Sequence, residues 1–271
     1  MKKTVRKVLI VILLLVFLGS LGMLLRQQQT YREGEDIYAQ AEQLVQQPPA
    51  AEEEELRLPV ESEDGTAAEP EPESDPQPEV PLESLSIESL QAVNSDVLGW
   101  IRIPDTALSY PLVRGADNDW YLNHAWNGQW TSVGSIFMDY RCAADLTDFH
   151  TIVYGHRMRN GSMFASLKYY DDQRHWEAHP HVFIRSGEHV RQYAIFAAYE
   201  APVQSPTYTL PGEDESARQA LIDFALDQSV IDTGLVPTTT DRILTLSTCT
   251  GDGYETRWVV QAVELQADPQ T

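Results

Sequence analysis

Apolar residues follow three different rhythms along this chain. Val8–Leu25 reads VLIVILLLVFLGSLGMLL, 18 residues without a charge. As a helix, at ~1.5 Å per residue, it reaches roughly 27 Å, close to the ~30 Å hydrocarbon core of a bilayer. Next, Ile37, Ala41, Leu44 and Val45 share one face of a short helix predicted within Tyr31–Gln47. From Pro48 to Pro81 large apolar residues almost vanish. After that, Leu82, Leu85, Leu90 and Val93 predict a helix over Leu82–Val93, ended by Asn94-Ser95-Asp96. The rest is strand-like. Short β-branched and aromatic runs recur at Gly99–Ile103, Gly134–Met138, Thr151–Tyr154, His181–Arg185, Gln192–Tyr199, Arg242–Thr248 and Thr256–Leu265. Turn residues such as Pro104-Asp105, Asn127-Gly128, Ser186-Gly187 and Gly251-Asp252-Gly253 separate them. That rhythm belongs to a barrel or sandwich. One helix interrupts it, with Ala217, Ala220, Leu221, Phe224 and Ala225 at helical spacing and Glu213, Asp214 and Glu215 at its positive end.

Charge sharpens this division. The 271 residues hold 19 Lys+Arg against 41 Asp+Glu, a net charge of −22. The first thirty carry Lys2, Lys3, Arg6, Lys7 and Arg26 and no acid. Residues 31–83 carry 17 acids against Arg32 and Arg57 alone. Four cations before the apolar run set its orientation, with the N-terminus cytoplasmic and everything after Arg26 outside. The run exceeds the ~7–15 residues of a secretory signal, and Arg26-Gln27-Gln28-Gln29 offers no small-residue cleavage site. The prediction is therefore an uncleaved single-pass anchor in the cell membrane. Pro48–Pro81, rich in Pro and Glu, predicts an extended solvated spacer. Four parts result: a basic tail (1–7), a transmembrane anchor (8–25), an acidic stalk (26–81) and one extracytoplasmic domain (82–271). A charge this negative excludes nucleic acid as a partner, since phosphate binding needs a basic face. Two cysteines, Cys142 and Cys249, are too few for a disulfide scaffold or a Cys-rich zinc site.

Candidate chemistry centres on Cys249. The strand Arg242–Thr248 runs into that cysteine, and a second strand opens at Arg257 after a connection containing two glycines. An antiparallel hairpin there brings the last residue of one strand opposite the first of the next. A guanidinium beside a thiol favours the thiolate and can donate to an oxyanion. His156, in Thr151-Ile-Val-Tyr-Gly-His-Arg-Met158, sits just past a strand end, where a rigid element holds a side chain at a cleft. Taken singly, such residues are commonly a small buried hydrophobe, a surface ion-pair partner and a satisfied polar group. His175, His179, His181 and His189 lack a Cys partner and read as solvated or edge-strand histidines rather than a zinc site. Trp100, Trp120, Tyr121, Trp126 and Trp130 read as packing.

The string Thr245-Leu-Ser-Thr-Cys249 followed by Arg257 resembles the signature of sortases, the cysteine transpeptidases of Gram-positive bacteria. Class B is resembled through Asp96-Val-Leu-Gly-Trp-Ile-Arg-Ile-Pro104, Tyr121-Leu-Asn-His124, Gly134-Ser-Ile-Phe-Met-Asp-Tyr-Arg141, Tyr154-Gly-His-Arg-Met158 and Met163-Phe-Ala-Ser-Leu167, in order from about Leu82 to Leu265. The resemblance implies a mainly β fold: a closed eight-stranded barrel with N-terminal helices and an inserted helix before the last strands. It implies no metal and no cofactor. It makes Cys249 the nucleophile, His156 the general acid/base and Arg257 the oxyanion and substrate stabiliser, with Ser247 and Thr248 shaping the substrate site. It also implies cleavage of a C-terminal sorting motif after Thr on surface proteins. The acyl group then passes through a thioester to an amine, either of a peptidoglycan precursor or of a pilin Lys. A hydrolytic cysteine peptidase, in which water resolves the thioester, shares the same residues. Two departures stand out. The Cys249–Arg257 connection is compact, and Cys142 occupies a place where Asn is usual.

Overall fold

Eight strands close into a barrel in the computed structural model, which describes residues 2–46, 80–249 and 255–265. They are β1 (Val97–Arg102), β2 (Ser109–Val113), β3 (Ile136–Met138), β4 (His150–Tyr154), β5 (His181–Ser186), β6 (His189–Pro202), β7 (Ile243–Cys249) and β8 (Thr256–Glu264). Around the barrel the order is β1-β2-β3-β4-β7-β8-β6-β5, and β5 returns to pair with β1. The β2–β3 and β4–β7 pairs are parallel and the other neighbours antiparallel. The hydrophobic pattern located every strand except β2. Its Pro111 lacks an N–H for a ladder, which argues against a strand. Pro111 stands opposite Trp100 of β1, while β3 joins β2 only at Leu112 and Val113. The proline therefore falls where the sheet continues on one side alone.

Strand alternation sorts the side chains. Leu244 and Leu246 of β7, Val260 and Ala262 of β8 and Val153 of β4 point into the barrel with Ile101, Ile136, Ile184 and Ile195. The segment Phe164–Asp171, a 3-10 helix, adds Phe164, Leu167 and Tyr170 to that interior. On the outside, helix α3 (Glu215–Gln228) packs Leu221, Ile222 and Ala225 against Ile243, Val259 and Val263. Its N-cap is Asp214, whose side chain accepts from Ala217 N at 3.1 Å.

The N-terminal elements depart from the sequence pattern in two ways. First, the helix expected over Leu82–Val93 is broken into a 3-10 turn, Leu82–Ser84, and the short α2 (Ile87–Gln91). Leu85 between them is extended, and Ser86 N donates to Val45 O at 2.7 Å. A bond outside the helix replaces one inside it, and Leu82, Leu85, Ile87 and Leu90 all become buried.

Second, α1 runs unbroken from Lys2 to Gln46, and its C-terminal part is not stalk. Ile37, Ala41 and Val45, the predicted face, pack with Leu85, Leu90, Trp100 and Trp126. Trp126 Nε1 donates to Ile37 O at 3.2 Å, and Tyr38 Oη donates to Gly134 O at 2.5 Å. Residues from about 31 to 46 are thus built into the barrel body, although the sequence division left them in 26–81. Apolar burial outweighed the acidic composition around them. The Pro-rich run lies outside the described residues through position 79, but both its flanks are fixed to the same body: Val45 by Ser86, and Val80 O by Arg102 Nη1 at 2.7 Å.

Toward the other end of α1, Leu13, Leu14, Leu15, Val16, Phe17 and Leu18 are each more than half exposed. Among the described residues no helix is long and apolar enough to cross a membrane. The predicted anchor Val8–Leu25 falls partly on side chains outside those described.

Candidate active site

β7 lies between β4 and β8, and its last residue is Cys249, whose backbone alone is described. In the antiparallel ladder with β8 the register runs Ser247↔Val259, Thr248↔Trp258, Cys249↔Arg257. In the parallel ladder with β4 it runs His150↔Ile243 through Tyr154↔Ser247. A further bond, from Gly155 N to Ser247 O at 3.2 Å, carries that ladder one step beyond the strand. His156 lies two residues beyond the end of β4. His150, Thr245 and Gln261 meet on the outer face of these strands. The sheet thus sets Cys249 opposite Arg257 at the end of the β7–β8 ladder, and β4, which pairs β7 on its other side, ends two residues before His156.

Gly155 makes the turn into His156 possible. A Cβ there would lie 2.5 Å from Ile136 Cδ1 and 2.8 Å from the Phe164 ring, so no side chain fits on that inward position. His156 is half-buried, and its Nε2 stands 2.7 Å from Leu122 O. A carbonyl oxygen only accepts, so Nε2 carries a hydrogen. The ring lies against Gly134, where a Cβ would come within 2.9 Å of His156 Cδ2 and 2.7 Å of Leu122 O. Gly134 also has φ of +62°, a backbone state glycine adopts without strain. Arg257 is half-buried, donates from Nη1 to Thr256 O at 2.9 Å and faces Ala201 of β6 on its other side.

Ser247 and Thr248 are each only 2% exposed. Ser247 Oγ is 2.9 Å from Tyr208 Oη, and Thr248 faces the barrel interior with its Oγ1 unpartnered.

A set of buried polar contacts on these strands and the segments beside them was not singled out from the sequence. Tyr154 Oη donates to Asp139 Oδ2 at 2.9 Å, and Arg141 grips both oxygens of Asp139 at 2.9 and 2.7 Å. Burial pushes the Asp139 carboxyl up, but the bonds from Arg141 and Tyr154 outweigh it and hold the group at about 2. At the far end of the same face, His150 Nδ1 donates to Thr209 O, and its Nε2 meets Thr245 Oγ1, both at 2.7 Å. Gln261 Nε2 donates to the same Thr245 hydroxyl at 2.8 Å. Burial lowers His150 to about 4, so this histidine stays neutral and structural. Tyr154 with Asp139, and His150 with Thr209, Thr245 and Gln261, meet from positions far apart in the chain, so sequence spacing carries no such signal.

The remaining candidates separate from the site. Cys142 is buried, its Sγ 3.7 Å from His150 O, and burial pushes its thiol up to about 11. His175 and His179 approach to 4.7 Å between ring centroids, and among the described residues no cluster of three His, Cys, Asp or Glu forms a metal set. Trp100, Tyr121 and Trp126 are core; Trp120 and Trp130 are exposed, Trp120 stacked on His124 at 3.6 Å.

The chain is similar to known proteins over most of the domain. A family model for the sortase domain matches residues 101–265. A curated relative, Sortase B of Listeria monocytogenes, is 37% identical over 177 residues, covering 65% of this chain and 72% of the relative. The solved Staphylococcus aureus sortase B–substrate complex is 32% identical with a TM-score of 0.63, covering 67% of this chain and 85% of that one. A sortase B of Bacillus anthracis, solved in complex with AAEK1, is 27% identical with a TM-score of 0.68, covering 88% and 99%.

Proposed function

This chain belongs to the sortase family of cysteine transpeptidases, with sortase B as its likeness, and from that premise we propose a specific reaction and a division of labour. The substrate is a surface protein with a C-terminal sorting motif. Cys249 cleaves it after Thr, and the acyl group passes to an amino group of a peptidoglycan precursor. What supports this reading is Cys249 standing opposite Arg257 in the β7–β8 ladder, with His156 two residues beyond the end of β4, the strand that pairs β7 on its other side.

The steps follow from that layout. A thiol of ordinary pKa ~8.5 is only a few per cent thiolate near pH 7. Arg257, opposite Cys249, favours the anion. The sulfur adds to the Thr carbonyl carbon, and the guanidinium donates to the oxyanion that forms. As that tetrahedral species collapses the C–N bond breaks, and the departing amine takes a proton from His156. Because Nε2 is committed to Leu122 O, Nδ1 is the nitrogen that gives the proton and later takes it back. A thioester remains on Cys249. The incoming amine attacks it, His156 Nδ1 receives the amine's proton, and the sulfur leaves as thiolate. No nucleotide is consumed, since the thioester retains most of the amide's free energy.

The apolar run Val8–Leu25 is assigned in the same proposal to a single-pass anchor, with the domain outside the cell membrane. The exposed row Leu13–Leu18 supports it, because a water-facing stripe of that kind calls for a partner.

The test is covalent. Peptides with a Thr–Gly or Thr–Asn scissile bond, incubated with the chain without an added amine, should leave an acyl adduct on the tryptic peptide containing Cys249. Adding triglycine should discharge it to ligated product. Cys249→Ala should give neither. An adduct on Cys142, or hydrolysis unaffected by triglycine, rejects the reading.

A further inference from the structure

The site is held from a direction that the proposed reaction does not use. His156 Nε2 meets a backbone carbonyl, Leu122 O. That carbonyl belongs to a loop, not a strand. The 3-10 turn Trp120–Leu122 is followed by a return through Thr131 to Ser135. The loop is tied together by Thr131 N to Asn123 O at 2.9 Å, Ser135 N to Tyr121 O at 2.9 Å and Ser135 Oγ to His124 O at 2.8 Å. Gly134, in this return, is the residue against which the imidazole rests. Its own carbonyl accepts a hydrogen bond from Tyr38 Oη, on α1, 96 positions earlier in the chain. The same hydroxyl reaches Ser135 Oγ at 3.4 Å.

Tyr38 is well placed for such a task. Its ring packs edge-on to Tyr110 at 5.2 Å, and it lies against both the barrel and the helical cluster. Its neighbours Ile37 and Ala41 fix α1 in the groove beside Trp126. Burial pushes its hydroxyl well above the usual phenol range, so it remains an O–H donor at every working pH.

We propose that Tyr38 of α1 is a positioning residue for catalysis: its bond to Gly134 O sets the loop that orients His156. The proposal rests on the reading of His156 as general acid/base. Tyr38 touches neither substrate nor the reacting atoms. It acts through the Gly134 backbone on the ring, and through the paired loop on the Leu122 carbonyl that selects the Nε2–H form. Loss of the hydroxyl leaves the ring packing of α1 intact and frees the loop by one strong tie. A loosened Leu122 O lets the imidazole sample the other tautomer, in which Nδ1 holds the hydrogen and cannot accept one.

The experiment compares four full-length chains in detergent: wild type, Tyr38→Phe, Val45→Ala and His156→Ala. Val45 lies in the same packed face, seven residues from Tyr38, and makes none of the loop hydrogen bonds above, so its truncation reports loosening of α1 alone. Turnover is read with the Thr–Gly and Thr–Asn peptides and triglycine. The tautomer is read from the imidazole nitrogen shifts of His156. The expected result is a kcat lowered roughly tenfold to a hundredfold in Tyr38→Phe. KM should stay within about twofold, with a mixed-tautomer signature for His156. Val45→Ala should melt lower than Tyr38→Phe yet keep its kcat. If Tyr38→Phe turns over like wild type while His156→Ala is dead, the positioning role is overturned and the acid/base reading stands. If His156→Ala is itself active, both fall. If Val45→Ala loses as much kcat as Tyr38→Phe, helix packing rather than the hydroxyl is responsible, and the proposal is rejected.

Discussion

Cys249 and Arg257 face each other as the last paired residues of the β7–β8 ladder, Cα partner to Cα partner. A guanidinium so placed can act as a bare charge or as a fork of fixed donors, and lysine separates the two roles. Losing one oxyanion donor costs about 10²–10³ in rate. Arg257→Lys is therefore expected to lower kcat/KM about a hundredfold or more, while alkylation of Cys249 by a small reagent slows far less, since no oxyanion forms in that reaction. Equal losses in both rates across pH would assign Arg257 to the thiol's ionisation alone.

Where the domain starts has a direct test. A chain beginning at Pro81 lacks the helix face that covers Leu85, Leu90 and Trp126. Burial of a side chain such as Ile37 or Val45 stabilises by about 1.5–3 kcal/mol each. Removing α1 should lower Tm by more than 10 °C, taking about 1 kcal/mol as 2–4 °C for a domain this size. A chain beginning at Gln27 should melt and turn over like the full-length protein in detergent. Equal Tm values for the two truncations would return residues 31–46 to the stalk.

Acid sensitivity should trace to His150. Its ordinary value of 6.5 falls to about 4 through burial. The unfolded chain therefore binds a proton that the folded chain refuses. The stability this represents is complete above about 6.5 and is lost as pH falls toward 4, amounting to about 3 kcal/mol. Urea midpoints of the wild type should decline across that window, and His150→Gln should flatten the decline. The same slope in both would place the titration elsewhere.

The two thiols should differ sharply in reactivity. Burial pushes Cys142 up to about 11, and its Sγ–H is turned to His150 O. Brief exposure of the native protein to a small alkylating reagent at pH 7.5 should give one adduct, mapped to the Cys249 peptide. A comparable adduct on Cys142 before unfolding contradicts that burial.

Residues that sit on strong patterns were legible in advance. The barrel strands announced themselves through β-branched runs, and Cys249–Arg257 through a strand, a glycine-bearing turn and a strand. β2 was not legible because Pro111 erased the signal, and only the structure reveals that β3 joins two residues long, beyond it. Composition misassigned residues 31–46, since acidic neighbours outnumber Ile37, Ala41 and Val45, yet it is their shared face that decides burial. The pairing of β4 with β7 is parallel, and no local spacing encodes it. The same is true of Asp139 with Tyr154 and of Tyr208 with Ser247.

Helix α1 continues without interruption from the apolar run to Tyr38. With Val8–Leu25 held in a bilayer, as proposed, the domain stands on a shaft whose azimuth is fixed as firmly as its height. Leu25 and Tyr38 are separated by 13 residues, roughly 20 Å of rise and between three and four turns. Inserting one residue near Gln28 would lift the barrel by only ~1.5 Å but swing its catalytic end by about 100° around the shaft. Inserting seven would restore the facing and raise it ~10 Å. The compass heading of the catalytic cleft, relative to neighbours in the plane of the membrane, is thus written into helical phase.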